Sequence, residues 1–155
     1  MLLETTRFGV VEVDEAEVYA VPGGIPGFPE MKRVALLGAG NVPGHPPLEN
    51  QHSLYWMHDL DDENLAFMCV VPWVAFPEYD FDIDDETLGV EDLADVRVLT
   101  LVSVRREDGV GQLTTNLRAP IVVDTRKQRL QQIILNDSRW PIRALVTVLV
   151  STEVR

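Results

Sequence analysis

An acidic run at residues 80–91, DFDIDDETLGVE, contains the residue types that bind calcium. Carboxylates fall at the first, third, fifth and twelfth positions of the run, as in the calcium loop of an EF-hand. The sixth position should be glycine and is Asp85, and no amphipathic helix precedes the run. Apolar residues alternate with its first carboxylates, which is typical of a strand with one wet face. We expect an exposed acidic strand, and a small β-barrel enzyme or metal-binding protein that uses Asp80–Glu86 is the alternative hypothesis.

Residues suited to zinc binding or nucleophilic catalysis are present, but they are not spaced for it. His45, His52 and His58 lie in or near one Gly- and Pro-rich stretch, without the close pairing of a zinc site. Cys69 is the only cysteine and lies in the apolar run LAFMCVV, which predicts a buried thiol rather than a nucleophile. The chain also lacks the G-x-S-x-G elbow of many hydrolases. We therefore predict no metal, no cofactor and no catalytic residue.

The stretch VPGGIPGFPE, residues 21–30, is rich enough in glycine to raise the question of phosphate binding. A phosphate loop needs Lys and then Ser or Thr after its last glycine, but Gly27 is followed by Phe28. The prolines remove backbone donors and restrict φ. The pattern predicts a rigid double turn. Ile25 and Phe28 flank its centre, where they either plug one end of a barrel or face a partner.

Composition and charge exclude several classes of protein. The chain has 155 residues, 46% of them hydrophobic and 25% charged, which predicts one globular domain over residues 1–155. No signal peptide and no apolar run of about 20 residues is visible, so we expect no membrane segment. A single cysteine excludes an internal disulfide framework and fits a reducing, cytoplasmic compartment.

The negative charge is strong and unevenly distributed. The formal net charge is −12, and no Lys or Arg occurs between Val34 and Val96. Direct binding of nucleic acid is therefore not expected, because phosphate contacts require a basic face. The acidic stretch either keeps the protein soluble or steers a basic partner toward it.

The hydrophobic pattern has a period of two along most of the chain, which predicts strands. LLETTRFGVVEV alternates around Gly9 and resembles a hairpin or a bent strand, and DDETLGVEDLADV, residues 84–96, is the best helix candidate. We predict an all-β, mainly antiparallel fold: a small, closed or nearly closed β-barrel-like single domain with a short helical insert. The other strand-like runs are VYAV, RVALL, SLYWM, LAFMCVV, YDFDI, VRVLTLVSV, QLTTNL, IVVD, LQQIIL and LVTVLV.

Four segments, in order, resemble those of the flagellar assembly factor FliW family. They are VYAVPGGIPGF, LAFMCVVPWVAFPEYDFDI, TTNLRAPIVVDT and QQIILNDSRWPIR. The resemblance extends from Leu3 to about Arg143. It implies a β-barrel-like protein without enzymatic activity that acts as a monomer in the bacterial cytoplasm. The implied partners are newly made flagellin and the carbon storage regulator CsrA, a translational repressor that the factor antagonises by binding it.

The resemblance also assigns roles to residues of its conserved blocks. Leu117 is expected to pack inside, and the exposed aromatic and polar residues are expected to contact partners. The predicted partner-binding residues are Ile25, Phe28, Glu78, Tyr79, Asp80, Asp82, Asp84, Asp85 and Asn116. The predicted turn-shaping residues are Gly24, Pro26, Gly27 and Pro120.

Overall fold

The predicted alternation of side chains produces an almost entirely β structure. The computed structural model describes residues 1–39, 53–81, 93–107 and 110–146. Its helices, within those ranges, are short 3-10 segments: Glu15–Glu17, Pro72–Val74 and Leu93–Asp95. The strands are β1 (Leu2–Thr5), β2 (Gly9–Glu12), β3 (Val18–Ala20), β4 (Arg33–Gly38), β5 (Leu54–Asp59), β6 (Ala66–Val70), β7 (Val96–Glu107), β8 (Val110–Thr115), β9 (Ile121–Asp124), β10 (Arg129–Gln132) and β11 (Ala144–Val146).

Seven of these strands form a closed barrel, which confirms the predicted fold class. Their order is β7-β6-β5-β4-β3-β10-β9, and β9 then pairs with β7 to complete the ring. The closing register is antiparallel and runs from Val96 opposite Asp124 to Leu99 opposite Ile121. The neighbouring pairs are antiparallel except β3 and β10, which meet in parallel at Ala20 and Arg129. Closure leaves these strands without a free edge inside the ring.

The barrel core consists of the side chains that point inward at every second position of the strands. Cys69 lies in this core with no exposed surface, as its apolar surroundings in the sequence predict. Burial raises the pKa of its thiol to about 12, so the thiol stays protonated near neutrality. The core residues are Tyr19, Val21, Ile25, Met31, Val34, Leu36, Met57, Cys69, Leu99, Ile121, Val123 and Leu130.

The hairpin of β1 and β2 covers part of the barrel's outer surface. Gly9 adopts a φ of +72° where β2 begins, in agreement with the predicted bend. Leu3 and Val11 of the hairpin pack with Leu37 and Trp56, which face outward from β4 and β5. The hairpin therefore gives these two strands a second buried face.

Two sequence expectations need correction or lie beyond the described residues. Tyr79–Phe81, the described part of the predicted strand YDFDI, is not a strand, because its backbone follows a turn that is held by side-chain contacts. Of the predicted helix at residues 84–96, the described part contains only the 3-10 segment Leu93–Asp95. Residues 84–92 lie outside the described ranges.

The stretch VPGGIPGFPE closes one end of the barrel as a double turn. Ile25 and Phe28 exchange backbone hydrogen bonds of 3.3 and 2.8 Å, with Gly27 at a φ of +88° between them. Ile25 is buried in the barrel core, whereas Phe28 is 38% exposed and packs edge-on against Phe67 of β6. Ile25 therefore plugs this end of the barrel, which is one of the two roles predicted for the pair, and Phe28 faces outward.

Gly24 and Gly23 provide a matched test of this turn. Both have positive φ, +72° and +76°. A Cβ on Gly24 would collide with the backbone of Phe28 and Pro29, whereas a Cβ on Gly23 would meet nothing within 4 Å. We expect Gly23→Ala to lower the free energy of unfolding by about 1 kcal/mol, the cost of a left-handed backbone. Gly24→Ala is expected to cost roughly 1–3 kcal/mol more, as in overpacked sites.

Urea denaturation of both variants measures this difference. Equal losses of stability in the two variants would show that the close backbone approach at Gly24 does not constrain the turn.

Candidate partner-binding surface

A surface patch forms where three of the family-like segments meet in space. The first of them follows β6: the 3-10 segment Pro72–Val74 begins with proline, which suits the first helical position because it needs no N–H donor there. The chain then turns, with the backbone N–H of Tyr79 donating to Phe76 O at 3.0 Å. These turns place Trp73 and Tyr79 against each other, with 5.7 Å between their ring centroids.

The second segment is a bulge between β8 and β9. Both strands pair with the same side of β7, β8 opposite Val102–Glu107 and β9 opposite Val96–Leu99. Residues 116–120 span the gap opposite only two residues of β7, so most of them have no ladder partner there. One hydrogen bond within the bulge replaces part of this missing pairing: Asn116 Oδ1 accepts from the Arg118 backbone N–H at 3.0 Å.

The third segment, residues 132–141, supplies further hydrogen bonds to the bulge. Leu117 N donates to Pro141 O at 3.1 Å, and Arg118 O accepts from Leu135 N at 2.7 Å. The Arg118 guanidinium donates to Trp140 O at 2.9 Å. Leu117 is 1% exposed, as predicted, and packs with Trp140. The bulge therefore binds the C-terminal segment to the barrel.

Tyr79 is the centre at which the three segments converge. Its hydroxyl donates to Leu117 O at 2.6 Å, and its own carbonyl accepts from Trp73 Nε1 at 2.6 Å. Trp140 packs edge-on against the Tyr79 ring at 4.9 Å and donates from Nε1 to Asp80 O at 2.9 Å. Phe81 lies 5.5 Å from the same ring. We call Trp73, Tyr79, Phe81 and Trp140 the aromatic corner.

The ionisation of Tyr79 is suppressed by its position. Tyr79 is 2% exposed, and burial raises the pKa of its phenol above the ordinary value of 10.0. The hydroxyl is therefore uncharged near pH 7 and remains a hydrogen-bond donor to Leu117 O. It acts as a structural donor in the corner.

The outer rim of the aromatic corner presents both apolar and charged groups. Trp73 is 39% exposed, and the side chains of Glu78 and Asp80 are exposed beside it. Across the corner, the Arg139 guanidinium lies 5.4 Å from the Trp140 ring centroid and pairs with Asp137 at 2.6 Å. Trp73 is thus an exposed ring fixed by its hydrogen bond to Tyr79 O, and tryptophan is enriched among the residues that dominate binding energy at protein interfaces.

The structure corrects two of the predicted contact residues. Tyr79 and Ile25 are buried, at 2% and 3% exposure, because each packs into a hydrophobic cluster. Neither side chain is available to a partner in this structure. Each instead supports an exposed neighbour, Tyr79 supporting Trp73 and Ile25 supporting Phe28.

The other predicted residues are distributed between the two surfaces or are not described. Phe28 is exposed at the double turn, and Glu78 and Asp80 are exposed at the aromatic corner, where Asn116 is half-buried and Pro120 is buried. Asp82, Asp84 and Asp85 lie outside the described residues. Sequence reasoning missed Trp73 and Trp140, although tryptophan is enriched at binding hot spots and both lie in the family-like segments.

The described ranges show neither a metal cluster nor a membrane-spanning helix. There, no group of three or more His, Cys, Asp or Glu side chains is arranged to hold a metal ion. Most of the acidic run Asp80–Glu86 lies outside those ranges. None of the helices in the described part of the chain has the length and apolar character needed to cross a bilayer.

Comparison with known proteins identifies the family. The profile of the family described as "FliW protein" matches residues 2–146. The flagellar assembly factor FliW of Syntrophus aciditrophicus (strain SB) is 36% identical over 146 residues, which cover 92% of this chain and 85% of that protein. The chain belongs to the FliW family. The resemblance in the four sequence segments is thereby confirmed.

Further relatives and a solved structure agree with this assignment. The flagellar assembly factor FliW of Bacillus subtilis (strain 168) is 30% identical over 143 residues, covering 90% of this chain and 92% of that protein. A crystal structure of the flagellar assembly factor FliW matches with a TM-score of 0.75 and 26% identity, and covers 94% of this chain and 96% of that one. The barrel described above is therefore the FliW fold.

The Tyr79 hydroxyl is expected to stabilise this FliW-family protein measurably. Tyr79→Phe leaves the Leu117 carbonyl without its donor inside the corner, at a cost of about 1–3 kcal/mol in the free energy of unfolding. Tyr19→Phe is the matched control, because Tyr19 is as buried but its hydroxyl bonds only to the Arg97–Glu17 pair, whose direct contact of 3.0 Å does not involve it. Urea denaturation should show the larger loss for Tyr79→Phe; a larger loss for Tyr19→Phe would contradict the role assigned to Tyr79.

Alkaline pH should test the same contact by ionisation. The folded-state pKa of Tyr79 is raised, so above about pH 10 the unfolded chain loses its phenolic proton while the folded chain keeps it. The free energy of unfolding should therefore fall as pH rises above 10, and fall less steeply in Tyr79→Phe. Urea titrations at pH 9, 10 and 11 measure the two slopes. Parallel slopes would show that Tyr79 ionises as readily in the folded as in the unfolded protein.

Proposed function

We propose that this protein is a non-enzymatic assembly factor of the bacterial flagellum that works in the cytoplasm by binding other proteins. Its proposed partners are newly made flagellin and the carbon storage regulator CsrA, which it antagonises by direct binding. The observation that carries the proposal is membership of the FliW family, whose matched relatives are named flagellar assembly factors.

The aromatic corner supports a protein-binding role. Trp73 offers a large exposed ring whose Nε1–H is fixed by Tyr79 O, so it loses little conformational freedom when a partner packs on it. Glu78 and Asp80 place exposed carboxylates at its rim. Trp73 with Glu78 and Asp80 is our proposed contact patch, and Phe28 and Asn116 are additional contact candidates. Asp82, Asp84 and Asp85 are proposed to extend its negative charge.

The overall charge supports a basic partner. A net charge of −12 attracts proteins that carry positive surface, and a repressor that binds RNA needs such a surface. This attraction acts mainly on the rate of encounter and is screened by salt. The association rate with the regulator should therefore fall strongly as ionic strength rises, whereas that with flagellin should depend on salt less.

Charge reversal tests the contact patch. We expect the double variant Glu78→Lys/Asp80→Lys to weaken binding to the regulator by about tenfold or more, because rim attraction becomes repulsion. Binding of purified regulator and of purified flagellin monomer is measured separately by calorimetry, and association rates by stopped flow at two salt concentrations.

The matched control is Glu4→Lys/Glu12→Lys, which changes the net charge equally on the exposed side of the β1–β2 hairpin. Equal weakening by both double variants would show that only total charge matters and would remove the assignment to the aromatic corner. If the unmodified protein bound neither partner at micromolar concentration, the proposed function itself would be wrong.

A further inference from the structure

A second surface feature, at the opposite end of β6 from the aromatic corner, has the chemistry of a binding site. The double turn and the loop after β5 enclose a groove of about 590 Å³. Phe28, Met31 and Leu65 form its apolar wall, and Asp59, Asp61 and Asp62 contribute carboxylates. We call it the Asp59 groove. Its size is in the range of pockets that hold small ligands or peptide side chains.

The most informative group in the groove is the carboxylate of Asp59. Asp59 is only 5% exposed although it is the last residue of β5, where it shares the inward-facing side with Met57. One oxygen, Oδ1, accepts from the Asp61 backbone N–H at 2.8 Å. Within the described residues, Oδ2 accepts no hydrogen bond and no Lys or Arg pairs with Asp59. Asp59 therefore lines the groove with a carboxylate oxygen that has no partner among the described residues.

The nearby cation in the described structure is already engaged elsewhere. Arg33 of β4 lies close in the fold, since its carbonyl accepts from Leu60 N at 3.1 Å. Its guanidinium, however, contacts Asp61 Oδ1 at 3.5 Å, and both side chains are more than half exposed. That surface pair leaves Asp59 without a cationic partner among the described residues.

The wall of the groove complements the carboxylate. Phe28 is 38% exposed and is held from behind by Phe67, with ring centroids 4.9 Å apart. Gly27 beside it has no side chain that would block the approach, and nothing lies within 4 Å of the position of its Cβ. The groove thus combines an open, fixed aromatic ring with a largely buried carboxylate.

We propose that the Asp59 groove binds an arginine side chain of a protein partner, together with an apolar residue next to that arginine. The guanidinium pairs with Asp59, and the apolar neighbour packs on Phe28, Met31 and Leu65. Arginine fits better than lysine because its planar group both pairs with a carboxylate and stacks on an aromatic ring. The inference rests on the proposed function as a protein-binding module, and it adds a second contact surface remote from the aromatic corner.

The test uses the full-length protein and a defined peptide probe, acetyl-Leu-Arg-Leu-amide. The matched probe replaces arginine by citrulline, which has the same shape without the charge, and a third probe carries lysine. Titrations are followed by the backbone amide signals in nitrogen-15 NMR spectra. The arginine peptide should shift the signals of residues 27–31 and 59–65 and bind about tenfold or more tightly than the citrulline peptide, as a charge-assisted hydrogen bond implies.

Two isosteric variants test which carboxylate pairs with the arginine of the peptide. Asp59→Asn is expected to weaken the arginine peptide about tenfold, whereas Asp61→Asn, on the exposed rim, should change its affinity less than about threefold. Phe28→Ala should also weaken binding of the arginine peptide, but the arginine peptide should still bind more tightly than the citrulline peptide. If Asp59→Asn does not fold, the comparison of the arginine and citrulline peptides on the unmodified protein decides the question alone.

Three results would overturn the proposal. They are equal affinity for the arginine and citrulline peptides, signal shifts confined to residues outside the groove, and equal effects of Asp59→Asn and Asp61→Asn. An equally tight lysine peptide would overturn the choice of arginine. The probes contain no flagellin or regulator, so the two tests are independent. The peptide can bind in the groove even if neither proposed partner binds the protein, and both partners can bind even if the peptide does not.

Discussion

Pairing of β9 with the first third of β7 is the constraint on which the rest of the structure depends. It closes seven strands into a ring, so that every second side chain of each strand is enclosed. Without this pairing, Ile121 and Val123 would be exposed to solvent. In the closed ring they pack in the core with Leu99 and Cys69. The same strand then continues beyond the ring, where it pairs with β8, and β8 in turn pairs with β11. One long strand therefore belongs both to the barrel and to its extension.

The bulge at residues 116–120 lies where β7 passes from the barrel to its extension. Because β8 and β9 both lie on the same side of β7, these five residues stand opposite only Thr100 and Leu101, and the ladder cannot pair all of them. Their backbone groups bond instead with residues 132–141 and with the Tyr79 hydroxyl. Segments from distant parts of the chain are thereby held in one cluster. A feature that interrupts the sheet thus fixes the surface on which Trp73 is exposed.

The closed ring also explains why the candidate contacts lie in turns. A barrel has no free strand edge within its ring, so partners meet the segments at its ends. The aromatic corner follows the Val70 end of β6, and the Asp59 groove lies at the Ala66 end. Five residues of extended strand separate these ends by about 16 Å. Both surfaces combine an exposed aromatic ring with carboxylates.

The sequence by itself determined most of the strands, the barrel class, the double turn at Gly24 and the burial of Cys69. Each of these depends on local information: period-two alternation, the φ values open to glycine and proline, and an apolar neighbourhood. It misassigned Tyr79, because a tyrosine in a polar turn is buried only when a partner such as Leu117, 38 residues away, receives its hydroxyl. Asp59 is similar, since nothing in its neighbours marks a buried carboxylate. Only the tertiary structure decided these positions, because the burial of a polar side chain depends on which distant segments pack together.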